Sequence, residues 1–237
     1  MIIIITMAGL GTRFRKVGWD CPKFMIEVKG RTLFDWSLDS LKGYDSHVSK
    51  YVFVVRREDN AESFILSKCR EHGISCAEVL ELDHMTDGQA TTCMLALPHC
   101  SETEEILIYN IDTYVEPYAL TYEAISGDGH IPCFKAEGDH WSFVRADVSG
   151  RAVEVREKER VSDNCSIGAY YFSSAKLFKK IYDEFYLNST DKREKYIAPM
   201  YNYMIEKGFT VTMSLIEPGL VHDLGTPEEL KAFADTE

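Results

Sequence analysis

Positive charge is scarce in this 237-residue chain: 26 Lys and Arg stand against 38 Asp and Glu, for a net charge of −12. Such a balance excludes a general affinity for nucleic acid, whose phosphates need a basic surface. It leaves room for a small polyanion, because a few cations and metal ions can reverse the field inside one cleft. Long apolar runs are missing too. The four isoleucines of residues 2–5 are far too short to cross a bilayer and lack the charged flank and length of a signal peptide. The expectation is a cytoplasmic protein with no membrane partner. Seven cysteines occur, odd in number and without a C-x-x-C pair, so neither a zinc site nor a disulfide scaffold is indicated. Most read as reduced core residues, and the seven histidines likewise, with His222 set apart because it adjoins Asp223. Internal repeats, low-complexity tracts and linkers are absent.

What is present is an alternation. Residues 2–6, 51–55, 76–82 and 106–111 read as strands; 32–41, 60–72 and 88–97 read as helices, the first capped by Thr32, the second closed by Gly73 and the third stopped by Pro98. This predicts an α/β fold with a mostly parallel, Rossmann-like central sheet and helices on both faces. The second half changes character. Residues 141–147 and 152–157 flank a turn and predict a β-hairpin, followed by a strand at 167–173, helices at 175–187 and 197–207, and a last strand at 210–216. Thr226 then caps a terminal helix with Pro227 at its first position and a capping-box glutamate three residues past the cap. We expect one domain, with a nucleotide-binding half over residues 1–115 and an acceptor-binding half over 116–237.

Four constellations carry chemistry. After the first strand, Ala8-Gly9-Leu10-Gly11-Thr12-Arg13 is a glycine turn whose amides can approach an anion, with Arg13 and Lys23 to neutralise what the amides cannot. A dinucleotide turn would need a third glycine, and a P-loop would need Gly-Lys-Ser/Thr. Neither is present, so a longer, non-helical phosphate loop is expected. Asp112 ends a buried strand at the edge where open α/β sheets bind ligands; it is either a turn cap or a ligand for a hard cation. Asp223 precedes a helix whose cap is already Thr226, which leaves its carboxylate for other work. Glu157 and Lys158 close a predicted strand, where neighbouring side chains face opposite ways, one towards a ligand and the other towards solvent.

In this order and spacing, from residue 7 to 230, the chain resembles the sugar-phosphate nucleotidyltransferases: Gly-x-Gly-Thr-Arg with a later Pro-Lys, an Asp after a buried strand, Glu-Lys before Gly-x-Tyr, and Asp-x-Gly-Thr-Pro-Glu. The resemblance implies transfer of a nucleotidyl group from an NTP to a phosphorylated acceptor, typically a sugar 1-phosphate, giving an activated sugar for surface-glycan synthesis and pyrophosphate. It implies that Ala8, Gly9, Gly11 and Thr12 hold the triphosphate, that Arg13 and Lys23 act on the reacting phosphates, and that Asp112 and Asp223 bind Mg2+. Gly88, with Gln89 beside it, is expected against the base, and Glu157, Lys158, Gly168 and Tyr170 around the acceptor. Two departures stand out. Phe24-Met25 follows the Pro-Lys pair, and no pyrimidine-selecting glutamine precedes Gly88, so the base stays open. A homo-oligomer is compatible with these features.

Two further readings stay open. Aromatic residues of the second half (Trp141, Tyr170, Tyr171, Tyr196, Tyr201, Tyr203) could cage a quaternary ammonium, making the acceptor a non-sugar phosphate such as phosphocholine, with CTP as donor. In another class, the protein would be a silent binder of nucleotide sugars, although such a binder has no need of a metal pair. A glycosyltransferase would show Asp-x-Asp, and Asn110-Ile111-Asp112 lacks the first acid.

Overall fold

The computed structural model describes residues 1–187 and 194–236. Its strands are β1 (Ile2–Thr6), β2 (Glu27–Val28), β3 (Arg31–Thr32), β4 (Lys50–Arg56), β5 (Ala77–Leu82), β6 (Ile106–Asn110), β7 (Thr113–Val115), β8 (Gly129–Lys135), β9 (Ser142–Ala146), β10 (Ala152–Glu157), β11 (Asn164–Ser166), β12 (Ala169–Phe172), β13 (Val211–Leu215) and β14 (Val221–Asp223). The helices are α1 (Thr12–Lys16), α2 (Leu33–Asp39), α3 (Glu62–Glu71), α4 (Gln89–Ala96), α5 (Ala175–Tyr182), α6 (Ala198–Glu206) and α7 (Pro227–Ala234).

A ten-stranded sheet runs in the order β10-β9-β11-β8-β12-β6-β1-β4-β5, with β13 also paired to β8. The strands around β1 are parallel: β6 and β4 flank it, and β5 joins β4. From β12 onward most pairs are antiparallel. The four isoleucines explain how β1 can be central. Successive side chains point to opposite faces. Ile2 and Ile4 enter the core that includes Ala90, Cys93, Phe178 and Tyr201, whereas Ile3 and Ile5 enter the core that includes Phe34, Phe53 and Ile65. A strand buried on both faces needs an unbroken apolar run, and this chain has one.

A third, smaller apolar cluster lies beyond the sheet's edge and joins Phe14, Ile26, Val28, Leu33, Tyr114, Leu224, Leu230 and Phe233. Full burial of each large side chain there contributes about 1.5–3 kcal/mol. Three of its members directly follow polar residues that face the cleft: Phe14 follows Arg13, Leu224 follows Asp223, and Leu230 follows Glu229. Packing of one neighbour therefore fixes the position of the other.

Several local expectations need correction. The segment after Gly11 is not wholly non-helical, because Thr12–Lys16 forms a helical turn docked by Phe14, which is 1% exposed. The strand expected at 167–173 is present as the shorter β12, and Gly168, whose φ is 80°, separates it from the additional strand β11. Residues 210–216 do not hold the last strand: β14 follows and pairs antiparallel with β7, placing Asp223 opposite Thr113. Both partners are three residues long, too short to show an alternating pattern. No helix among the described residues is long and apolar enough to cross a membrane.

Candidate active site

A cleft of about 770 Å³ opens at the carboxyl ends of β1 and β6. Its first wall is the segment after β1. Among the described residues, the backbone N–H groups of Ala8, Gly9, Leu10 and Gly11 meet no protein acceptor, as an anion cradle requires. Arg13 and Lys23 line the same wall, while Thr12 opens α1 outside the lining.

The second feature is a meeting of carboxylates. Asp112 lies just before β7 and Asp223 at the end of β14, and the Leu224 N–H donates to the Asp112 carbonyl at 2.8 Å. A methyl carbon on Gly225 would stand 3.1 Å from Asp223 Oδ1, 3.2 Å from Asp112 Oδ2 and 3.6 Å from Glu229 Oε2. Three carboxylate oxygens therefore face one small hollow beside Gly225. Asp112, paired with Lys23, nevertheless falls outside the donors that lie within 4.8 Å of one another, so sharing an ion would need it to leave that lysine. An all-oxygen donor set of this kind suits a hard cation such as Mg2+.

Electrostatics separate the acids. Burial would raise the Asp112 carboxyl, but Lys23 Nζ at 2.6 Å and the more distant Arg13 hold it below the usual range. For Asp223 the Gly225 N–H, which donates to Oδ1 at 3.0 Å, and the more distant Lys23 are too weak to do the same. Burial pushes its carboxyl well up, and the neighbouring Asp112 and Glu229 add to the effect. Glu229 Oε2 is buried with no hydrogen-bond partner among the described residues. The capping box expected of this glutamate is only half made: Thr226 accepts the Glu229 N–H at 3.2 Å, and the Glu229 carboxylate turns instead to the hollow.

The far wall belongs to the second half of the chain. Glu157, Lys158, Gly168 and Tyr170 all line it, with Trp141, Ser142 and Tyr196. Glu157 and Lys158 do not diverge as strand neighbours would. Lys158 lies just past β10 in a left-handed conformation (φ 55°), which brings its Nζ to 3.8 Å from Glu157 Oε1 and 2.6 Å from the Tyr196 hydroxyl. Burial raises the Glu157 carboxyl, partly offset by the Ser142 hydroxyl and Lys158. Of the other aromatics, Tyr171 and Tyr201 are core residues, and Tyr203 packs on Phe185.

Gly88 and Gln89 line the cleft between the walls. Packing also demands a glycine at 88: at φ 149°, a Cβ there would fall 2.5 Å from both the backbone N and O of Lys195. The Gln89 amide donates to Thr6 Oγ1 at 3.1 Å and Asn110 Oδ1 at 2.5 Å, tying α4 to the ends of β1 and β6. His222 is no part of the cleft and stacks on Tyr114. The histidine at the site is His140, in the loop between β8 and β9, with Nε2 4.0 Å from Asp223 Oδ2. No periodic pattern singles it out, so sequence reasoning passes over it.

No protein-family model and no curated protein sequence matches the chain. Solved structures do. A nucleoside-diphosphate-sugar pyrophosphorylase from Vibrio cholerae RC9 is 31% identical, with a TM-score of 0.90 and 100% of both chains covered. An inositol-1-phosphate CTP transferase from T. maritima shares the fold at 19% identity and a TM-score of 0.76, covering 96% of this chain and 90% of its own. So does a protein from Bacillus anthracis named as a glucose-1-phosphate thymidylyltransferase, at 17% identity and 0.80, covering 100% and 97%. With identity to the Vibrio protein sustained over its whole length, on the same mixed sheet, the chain belongs to the NTP transferase family of sugar-phosphate nucleotidyltransferases.

Proposed function

We propose that the protein is a Mg2+-dependent nucleotidyltransferase that moves NMP from an NTP onto a phosphorylated acceptor, most simply a sugar 1-phosphate, and releases pyrophosphate. The observation that carries this reading is the convergence of Asp112 and Asp223 opposite the amides of residues 8–11, Arg13 and Lys23 in one cleft. The names of the similar structures support the class of reaction, and the aligned Vibrio protein supports a sugar phosphate as acceptor.

An acceptor phosphate is already an anionic nucleophile, so the chemistry needs no general base. Its oxygen attacks the α-phosphorus, the bond to the bridging oxygen of the β-phosphate breaks, and pyrophosphate departs with that oxygen. The obstacle is to bring two polyanions together at one phosphorus, which makes positioning and charge stabilisation the main contributions. The amides of residues 8–11 and Arg13 hold the triphosphate. Lys23 stabilises charge that builds on the α-phosphate and on the leaving group. Asp112 and Asp223, with Glu229 beside them, would hold Mg2+, which supplies further neutralisation of the phosphate oxygens. Lys158 takes the acceptor's phosphate, and Glu157, with Ser142 and Tyr170 behind it, its polar body.

A second reading of the acceptor has its own observation. Trp141 and Tyr196 face the cleft together with Glu157 and Glu194, and aromatic faces with nearby acids suit a quaternary ammonium. Pyrophosphate release with each NTP, against a panel of sugar 1-phosphates and phosphocholine, with and without Mg2+, tests both. Release that requires one NTP, one acceptor and the metal identifies the pair. No release from any combination by a folded, nucleotide-binding protein refutes the enzyme reading and favours a silent binder.

A further inference from the structure

Three elements that are far apart in sequence bring one nitrogen and two oxygen donors together. His140 comes from the β8–β9 loop, Asp223 ends β14, and Glu229 stands in the first turn of α7. One donor atom from each lies within 4.8 Å of the other two. Three ligands each about 2.2 Å from one ion lie about 3.1–3.8 Å apart, so shifts on the order of an ångström, within reach of side-chain rotation, would seat an ion. Two independent details favour that seat. Glu229 Oε2 is buried, lacks a hydrogen-bond partner and faces the hollow. The His140 ring packs against Trp141, with centroids 4.3 Å apart, and its Nδ1 lies towards Gly138, which leaves Nε2 directed at Asp223.

We propose that His140 and Glu229 complete a three-residue metal site with Asp223, so that this hollow accepts a first-row transition cation such as Mn2+ as well as Mg2+. The proposal rests on the reading of Asp223 as a metal ligand. An imidazole nitrogen is a poor partner for Mg2+, which demands oxygen, and a good one for Mn2+, Co2+ or Zn2+. Because His140 belongs to the acceptor side and Glu229 to the C-terminal helix, the ion would also pin the β8–β9 loop across the mouth of the cleft.

Mn2+ alone, titrated into nucleotide-free protein and followed by electron paramagnetic resonance, tests the proposal without turnover. The wild type should bind one Mn2+ with a nitrogen coupling in the echo spectrum. His140→Ala should abolish that coupling and weaken Mn2+ at least about tenfold, more than it weakens Mg2+. Glu229→Gln, which preserves shape, should weaken Mn2+ and leave the coupling. Thermal melts of both variants check the fold. Mn2+ bound equally well by His140→Ala, with no nitrogen coupling in the wild type but loss of binding in Asp223→Asn, would overturn the three-residue site and leave Asp223 as a ligand. Absence of Mn2+ binding to the nucleotide-free wild type would also overturn it, and the pyrophosphate assay would still decide the transferase reading separately.

Discussion

Gly225→Ala separates the proposed metal hollow from the fold. The backbone at Gly225 is outside the left-handed region, so alanine meets no φ penalty there. Restricting the unfolded chain stabilises the protein by about 0.4–1 kcal/mol, against which stand tight contacts of the new methyl at 3.1 and 3.2 Å from two carboxylate oxygens. Net stability should therefore change by no more than about 1 kcal/mol. Metal binding should respond quite differently. Oxygens that share a Mg2+ ion must come to about 2.1 Å from one point, and the methyl carbon occupies the ground on which Asp112, Asp223 and Glu229 converge. We expect Mg2+ affinity to fall by at least about 100-fold, more than the loss of an outer-shell partner costs. Calorimetric Mg2+ titration with a urea melt on the same sample reads both quantities. Parental affinity in a variant with a parental melt would refute a metal held between these carboxylates. Loss of cooperative unfolding would refute the claim that the hollow is separable from the fold.

Lys23→Ala should lower kcat by roughly 10²–10³, as expected for removal of one donor to developing charge, with a smaller change in the NTP KM; steady-state kinetics that show a KM effect alone would confine Lys23 to ground-state binding. Gly88→Ala should destabilise the fold by about 1–3 kcal/mol in urea, because its methyl would strike the Lys195 backbone at 2.5 Å from a positive φ; an unchanged midpoint would refute that contact. Asp35 gives a pH dependence. Burial would raise its carboxyl, but Thr32, His72 and Lys68 outweigh burial and hold it well below the usual range. Its contribution to stability is therefore complete above the unfolded value of about 3.9 and is lost as pH falls below that value. Asp35→Asn should lower neutral stability and flatten the melt-against-pH curve below about pH 4; a curve parallel to the parent's would refute the assignment.

Much of the nucleotide half was legible because its signals are local. Thr32 caps α2 through a full capping box with Asp35, and Gly73 takes a left-handed turn after α3, both at short sequence range. What escaped was set by contacts at long range. The strand β8 has no clean alternation because both its faces are covered. The pairing of β7 with β14, which sets Asp223 beside Asp112, involves three-residue strands more than one hundred residues apart. Gly88 is expected against a base, and its close approach to the Lys195 backbone is a further constraint that the sequence does not show. Glu229 has the spacing of a capping-box acid, yet two neighbouring carboxylates give it other company. A capping pattern reports only the helix end and carries nothing about what the end faces.

Charge supplies the strongest argument about how this cleft can work. Among the described residues its lining holds the carboxylates of Asp87, Asp112, Glu157, Glu194, Asp223 and Glu229, and only Arg13, Lys23 and Lys158 as fixed cations. Asp87 is neutralised by Lys195 at 2.8 Å and Asp112 by Lys23 at 2.6 Å, but the second pairing also occupies the lysine that we propose for the reacting phosphates. Two like charges 4 Å apart near a protein surface repel by about 4 kcal/mol, so a triphosphate entering beside Asp223 and Glu229 in their ionised forms would be repelled, an effect that the loop amides and Arg13 oppose. On the proposed reading, a divalent cation held by those acids would turn the same carboxylates from a source of repulsion into a mount for positive charge and would free Lys23 from Asp112. A protein that only stored nucleotide sugars would gain nothing from three carboxylates gathered around a glycine-sized hollow. The acidic convergence thus argues for metal-assisted transfer more strongly than any of its basic residues does.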